Sequence, residues 1–99
     1  MIEANPPLPA AERLKRARMR AWRRGMREMD LIMGGFIDAE GAALDAASFD
    51  AFESLLGRRD ADLYAWVAGR DGAEPDDASA LERALIERMR ATARTVATR

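Results

Sequence analysis

Apolar residues in this chain recur at three- and four-residue spacing, and no stretch reads as a strand. Met26, Met29, Met33, Phe36 and Ile37 mark one helix face, and Phe49, Phe52, Leu55 and Leu56 mark another. Glycines punctuate these runs at Gly25, Gly57 and Gly69. The pattern predicts an all-α chain, a compact bundle of five short helices joined by short links. The expected helices are about Ala10 to Arg24, with Leu14, Ala17 and Ala21 on one stripe, and about Met26 to Ala39, which Gly34 and Gly35 should loosen or kink. A third helix is capped by Asp45 or Ser48, and Asp60 caps a short fourth carrying Leu63, Tyr64, Trp66 and Val67. Asp76 or Asp77 opens the fifth, where Leu81, Leu85, Met89 and Val96 form the stripe, and its Thr- and Arg-rich end should fray. Residues 1–9, with Pro6, Pro7 and Pro9, read as a mobile tail, and residues 10–96 as a single domain.

Ninety-nine residues leave room for one core. The absence of Cys and His excludes thiolate chemistry, Cys/His zinc sites and histidine acid–base catalysis. No apolar run approaches the roughly 20 residues that span a bilayer, and the N-terminus lacks an export signal, so a cytoplasmic protein without a membrane contact is expected. The net charge of −1 conceals an asymmetry. Residues 13–27 hold eight of the sixteen basic residues, while residues 28–57 hold seven acids and no Lys or Arg. One end should be positive and another negative, a layout suited to orienting a protein partner.

Catalysis by this chain alone is not expected. The carboxylate pairs Asp38/Glu40, Asp60/Asp62 and Asp76/Asp77 fall where Asp caps helices, and Ser48, Ser54 and Ser79 lack a base. No metal or stably bound cofactor is implied. An arginine-rich helical nucleic-acid-binding regulator is the alternative, since the eight cations could meet phosphates. They ring the helix instead of forming one stripe, which favours no nucleic-acid contact. Trp66 fits the core, whereas Trp22, flanked by arginines, is either an interface anchor or a ring lying under arginine stems.

Between the first two helices lies Arg24-Gly25-Met26-Arg27-Glu28. Gly25 suits a left-handed helix end and a close backbone approach, and Arg24 and Glu28 have the i,i+4 spacing of a helical ion pair. The run from Arg20 to Leu31 resembles the signature of the succinate dehydrogenase assembly factor 2 family, whose Arg-Gly-x-x-Glu motif falls on Arg24, Gly25 and Glu28, followed by Asp30. A second stretch, Leu55-Leu56 and then Asp60-Ala61-Asp62-Leu63-Tyr64-Ala65-Trp66, is similar to the family's downstream leucines, acidic turn and aromatic helix. Together they anchor about residues 16 to 70. Ala61 stands where relatives often have proline, which should loosen that turn.

The resemblance implies a helper that promotes covalent FAD attachment to the flavoprotein subunit of succinate dehydrogenase, and in bacteria of fumarate reductase. The histidine nucleophile and the flavin would both belong to the partner, so FAD is the group attached there. On this resemblance Arg24, Gly25 and Glu28 would bind the partner, with Arg16, Arg20, Trp22 and Arg27 widening the contact and Asp30 fixing the helix junction. A monomer is expected when free.

Overall fold

The computed structural model describes residues 10–97, with side chains through Arg94. The expected tail over residues 1–9, the side chain of Val96 and the frayed end lie outside the described residues. Helix α1 runs Ala10–Trp22, α2 Arg27–Glu40, α3 Ala46–Leu56, α4 Asp60–Val67 and α5 Ala80–Ala97, with one 3-10 turn at Gly41–Ala43. No strand interrupts these five helices among the described residues.

Helix α2 lies at the centre because it is apolar on more than one face. Met29, Ile32, Met33, Phe36 and Ile37 are all buried, so it packs against α1, α4 and α5 at once. Ala17 and Ala21 face it from α1, and their small side chains let the two helices approach closely. From α3, Phe52 stacks on Phe36 with ring centroids 5.8 Å apart, a contact worth about 0.5–1.5 kcal/mol beyond its buried area. Leu85, Ile86 and Met89 of α5 and Leu63, Trp66 and Val67 of α4 complete one continuous core.

Several local expectations change. Gly34 and Gly35 do not interrupt α2, which passes through both as continuous helix. Gly34 is instead a seat, because a Cβ built there would fall 2.3 Å from the Trp22 ring. Asp45 caps α3 by accepting the Ser48 N–H at 2.8 Å. Asp60 is the first residue of α4 and not its cap, and Arg59 takes the cap position without a side-chain bond.

Helix α5 starts later than Asp76 or Asp77 suggest. Ser79 and Glu82 form a reciprocal cap: the Glu82 N–H donates to Ser79 Oγ at 3.0 Å, and the Ser79 N–H donates to Glu82 Oε1 at 2.9 Å. Leu81 is exposed, and Ile86 takes the buried place on α5 that was expected of it.

Part of the separation of basic and acidic segments acts within the fold. Arg13 of α1 donates to Asp50 and Glu53 of α3 and lies over the Phe49 ring. Arg18 donates to Asp38 of α2 at 2.7 Å, and Arg88 pairs with Glu40 while covering Phe36. The basic helix thus packs on the acidic segments through Arg13 and Arg18, while Arg16, Arg20, Arg23 and Arg27 keep no ion pair among the described residues.

Candidate docking site

Helix α1 ends at Trp22 and α2 begins at Arg27, so residues 23–26 form the connection. Gly25 takes φ +97°, a conformation that L side chains rarely adopt, and a Cβ placed there would meet nothing within 4 Å. Glycine is therefore required by the backbone and not by crowding within the chain. The result is a bare, exposed stretch of main chain. Asp30, one turn into α2, accepts the Arg24 N–H at 2.7 Å and pins the connection down.

Arg24 does not pair with Glu28. The i,i+4 rule applies to two residues on one continuous helix, and the turn at Gly25 points the two side chains apart. The Arg24 guanidinium instead reaches the α3–α4 link. It donates to the carbonyls of Leu56 at 2.7 Å and Arg58 at 2.5 Å, and its Nε donates to Asp60. Its side chain is only 9% exposed. Leu56 closes α3, so the cation also meets the negative end of that helix. The guanidinium of Arg24, expected to bind the partner, is therefore engaged inside the chain. The two motifs of the sequence, Arg-Gly-x-x-Glu and Leu-Leu followed by Asp-Ala-Asp, are joined by this one side chain.

Glu28 is left exposed, and its carboxylate has no hydrogen bond or ion pair among the described residues. Arg27 beside it is likewise exposed and unpaired among them. On α1, Arg16 and Arg20 share one exposed face at i and i+4, and Arg23 is exposed in the connection that follows. None of the three has an ion pair among the described residues. Met19 lies on the same face at 47% exposure. Spacing could have shown it, since Met19 falls off the Leu14, Ala17 and Ala21 stripe and beside Arg16 and Arg20.

Trp22 is an intermediate case. One face of its ring rests on Gly34, and its Nε1–H donates to Asp38 Oδ2 at 3.1 Å, yet 38% of the residue stays accessible. Asp38 thus receives both Trp22 and Arg18, fixing the last turn of α1 against α2. The indole is oriented by the fold and still presents an apolar surface next to the exposed arginines.

The next connection is held by a second arginine. Arg58 donates to both carboxylate oxygens of Glu82, at 3.1 and 3.2 Å, and to Asp77, and it lies over the Trp66 ring. Burial pushes the Glu82 carboxyl up, but the bonds from Arg58 and the Ser79 N–H outweigh it and hold the group below the ordinary glutamate range. No cluster of three or more acidic residues that could hold a metal ion occurs among the described residues.

A sequence family described as flavinators of succinate dehydrogenase matches residues 15–93. Curated relatives bear the name FAD assembly factor SdhE. The one from Acetobacter pasteurianus is 31% identical over 80 residues, covering 81% of this chain and 73% of the relative. That of Colwellia psychrerythraea is 30% identical over 79 residues, or 79% of this chain and 87% of the relative. A Legionella pneumophila relative reaches 41% identity over 54 residues, 54% of this chain and 68% of its own length.

Proposed function

Since the chain belongs to the family of succinate dehydrogenase flavinators, we propose that it binds the flavoprotein subunit of that enzyme and promotes covalent attachment of FAD to it. The observation that carries this reading is the contrast within one motif. Each guanidinium nitrogen of the half-buried Arg24 is engaged, while Gly25 presents bare main chain and Glu28 an unpaired carboxylate beside it.

Each motif residue has a separate task. Arg24 and Asp30 position the connection from inside, one through its guanidinium and the other through the Arg24 N–H. Gly25 admits partner backbone or side chain without a Cβ in the way. Glu28 accepts hydrogen bonds from the partner, and Arg16, Arg20, Trp22 and Arg27 extend the contact along α1 and the start of α2. A face that combines the exposed Met19 and Trp22 with unpaired arginines is suited to protein recognition.

The chain itself forms no bond to the flavin. Without Cys or His it offers no strong nucleophile, and the histidine that takes the flavin belongs to the partner. The helper's contribution is to hold the partner so that its histidine and flavin meet in reactive geometry. It acts as a monomeric, non-catalytic cytoplasmic chaperone, and fumarate reductase is a second client of the same chemistry. Among the described residues no helix is long and apolar enough to cross a membrane. The comparisons offer no counterpart for a nucleic-acid role, and Arg13, Arg18 and Arg24 are already tied to acids of the same chain.

The test is to express the flavoprotein with and without this chain and read flavin fluorescence on a denaturing gel. Covalent flavin should rise several-fold when the chain is present. The same fluorescence without it would sink the reading.

A further inference from the structure

A cleft of about 690 Å³ opens beside Glu28, between the start of α2, the end of α4 and α5. Its floor is apolar, made by Leu31, Ile32, Val67 and Ala93. Resting on the docking reading above, we infer that this cleft takes up an acidic, apolar segment of the flavoprotein subunit.

Three features of the cleft set the occupant's chemistry. The mouth carries Arg27 from α2 and Arg94 from α5, both exposed and without an ion pair among the described residues. A third cation, Arg90, is in contrast held by the carbonyls of Trp66 and Val67 and by Glu87. Arg90 therefore shapes the wall, while Arg27 and Arg94 are left to meet charge from outside. Two free cations against the single anion Glu28 give the mouth a positive balance, which favours carboxylates on the incoming segment.

The apolar floor adds a second requirement, because a purely acidic segment would leave the half-buried Leu31 and Ala93 without a partner. The volume lies within the range of ligand-binding clefts, enough for the side chains of a few residues and too small for a folded element. The third observation is continuity. Arg27 and Glu28 belong both to the cleft wall and to the turn that follows Gly25, so a segment lying on the bare main chain runs directly into the cleft. A carboxylate of the segment pairs with Arg94, and a backbone N–H of the segment donates to Glu28. Helix α5 thereby becomes part of the contact, some seventy residues after the motif.

The experiment measures binding of purified flavoprotein subunit to the wild-type chain and to Arg94→Glu, Arg94→Lys and Gly25→Arg, with far-UV circular dichroism on each. Arg94→Glu should weaken binding about ten-fold at low salt, with the loss shrinking as salt rises, while Arg94→Lys stays within about three-fold of wild type. Wild-type binding by Arg94→Glu together with loss in Gly25→Arg overturns the cleft assignment and leaves the docking reading standing. Equal weakening by Glu and Lys at position 94 also overturns it, since charge would then not be what the cleft recognises. Undiminished binding by Gly25→Arg removes the docking reading and this inference with it.

Discussion

The α1–α2 junction and the α4–α5 junction use the same chemistry to different ends. Each is tied to the α3–α4 link by a buried or half-buried arginine, Arg24 in one and Arg58 in the other. Around Arg58 the polar groups answer one another: Glu82 takes Arg58 and the Ser79 N–H, Ser79 caps α5 in return, and Arg90 takes the last carbonyls of α4. Around Arg24 the inner groups are equally satisfied, but Gly25, Arg27 and Glu28 are turned outward and left without partners among the described residues. The second junction also exposes free groups, Gly69 and Gly72 at positive φ and Arg70, Asp71 and Asp76 without an ion pair among the described residues. What sets the first junction apart is that its free groups fall within the Arg-Gly-x-x-Glu motif, where the proposed docking surface lies.

Breaking the outward half of the first junction should have the largest effect on binding. Gly25→Arg is expected to reduce flavoprotein binding below detection while costing only about 1–2 kcal/mol of stability for the left-handed backbone. Gly25→Ala carries the same backbone strain with a small side chain, so the gap between the two variants in a titration measures the steric block alone. Loss of the folded state in both would make the glycine purely structural.

Breaking the inward half should act on stability first. Arg24→Ala leaves two carbonyls and Asp60 without their donor and is expected to cost about 2–4 kcal/mol in denaturant unfolding, with weaker binding as a consequence of the freed connection. An Arg24→Ala chain of unchanged stability that binds poorly would instead place the guanidinium in the interface.

The second junction supplies the control. Glu82→Ala removes the partner of Arg58 and half of the α5 cap, so it should cost about 2–3 kcal/mol and leave binding of the folded protein unchanged. Its pH dependence has a definite sign. Because the folded carboxyl titrates below its ordinary value near 4.5, its contribution is complete above that pH and is lost as the pH falls through the lower folded value. Acid unfolding of the wild type followed alongside Glu82→Gln should show the two curves converging at low pH.

A smaller effect is expected where the helices of the first junction touch. Gly34→Ala pushes the Trp22 ring off its seat and strains its bond to Asp38, at about 1–3 kcal/mol. In a domain of this size each kcal/mol lowers the melting temperature by about 4–8 °C. Tryptophan emission should shift to the red as the ring gains water.

The helices and the core were legible because spacing alone reports which side of a helix is apolar. Met29, Met33, Phe36 and Ile37 could be placed on a buried face without knowing what covers them. The conformation at Gly25 was legible for the same reason, since it is a local backbone property. The partner of Arg24 was not, because Leu56, Arg58 and Asp60 lie 32 to 36 residues away and no local rule links them. The near alternative, Glu28 at i+4, drew attention to a pair that a broken helix cannot form. Ser79 and Glu82 carried a readable capping box, but Asp76 and Asp77 are also good caps and stood earlier in the chain. Gly34 looked like a weak point because a missing side chain shows nothing of the ring that fills its place.

The docking claim is tested most directly at Glu28, which is exposed, holds nothing in the fold and belongs to the motif. The measurement is covalent flavin per flavoprotein on a denaturing gel after co-expression with wild-type chain or with Glu28→Ala, both at equal level. Flavin fluorescence should fall several-fold with Glu28→Ala while the amount of flavoprotein and the stability of the helper stay the same. Equal fluorescence with the two chains would contradict the assignment of this junction as the docking surface.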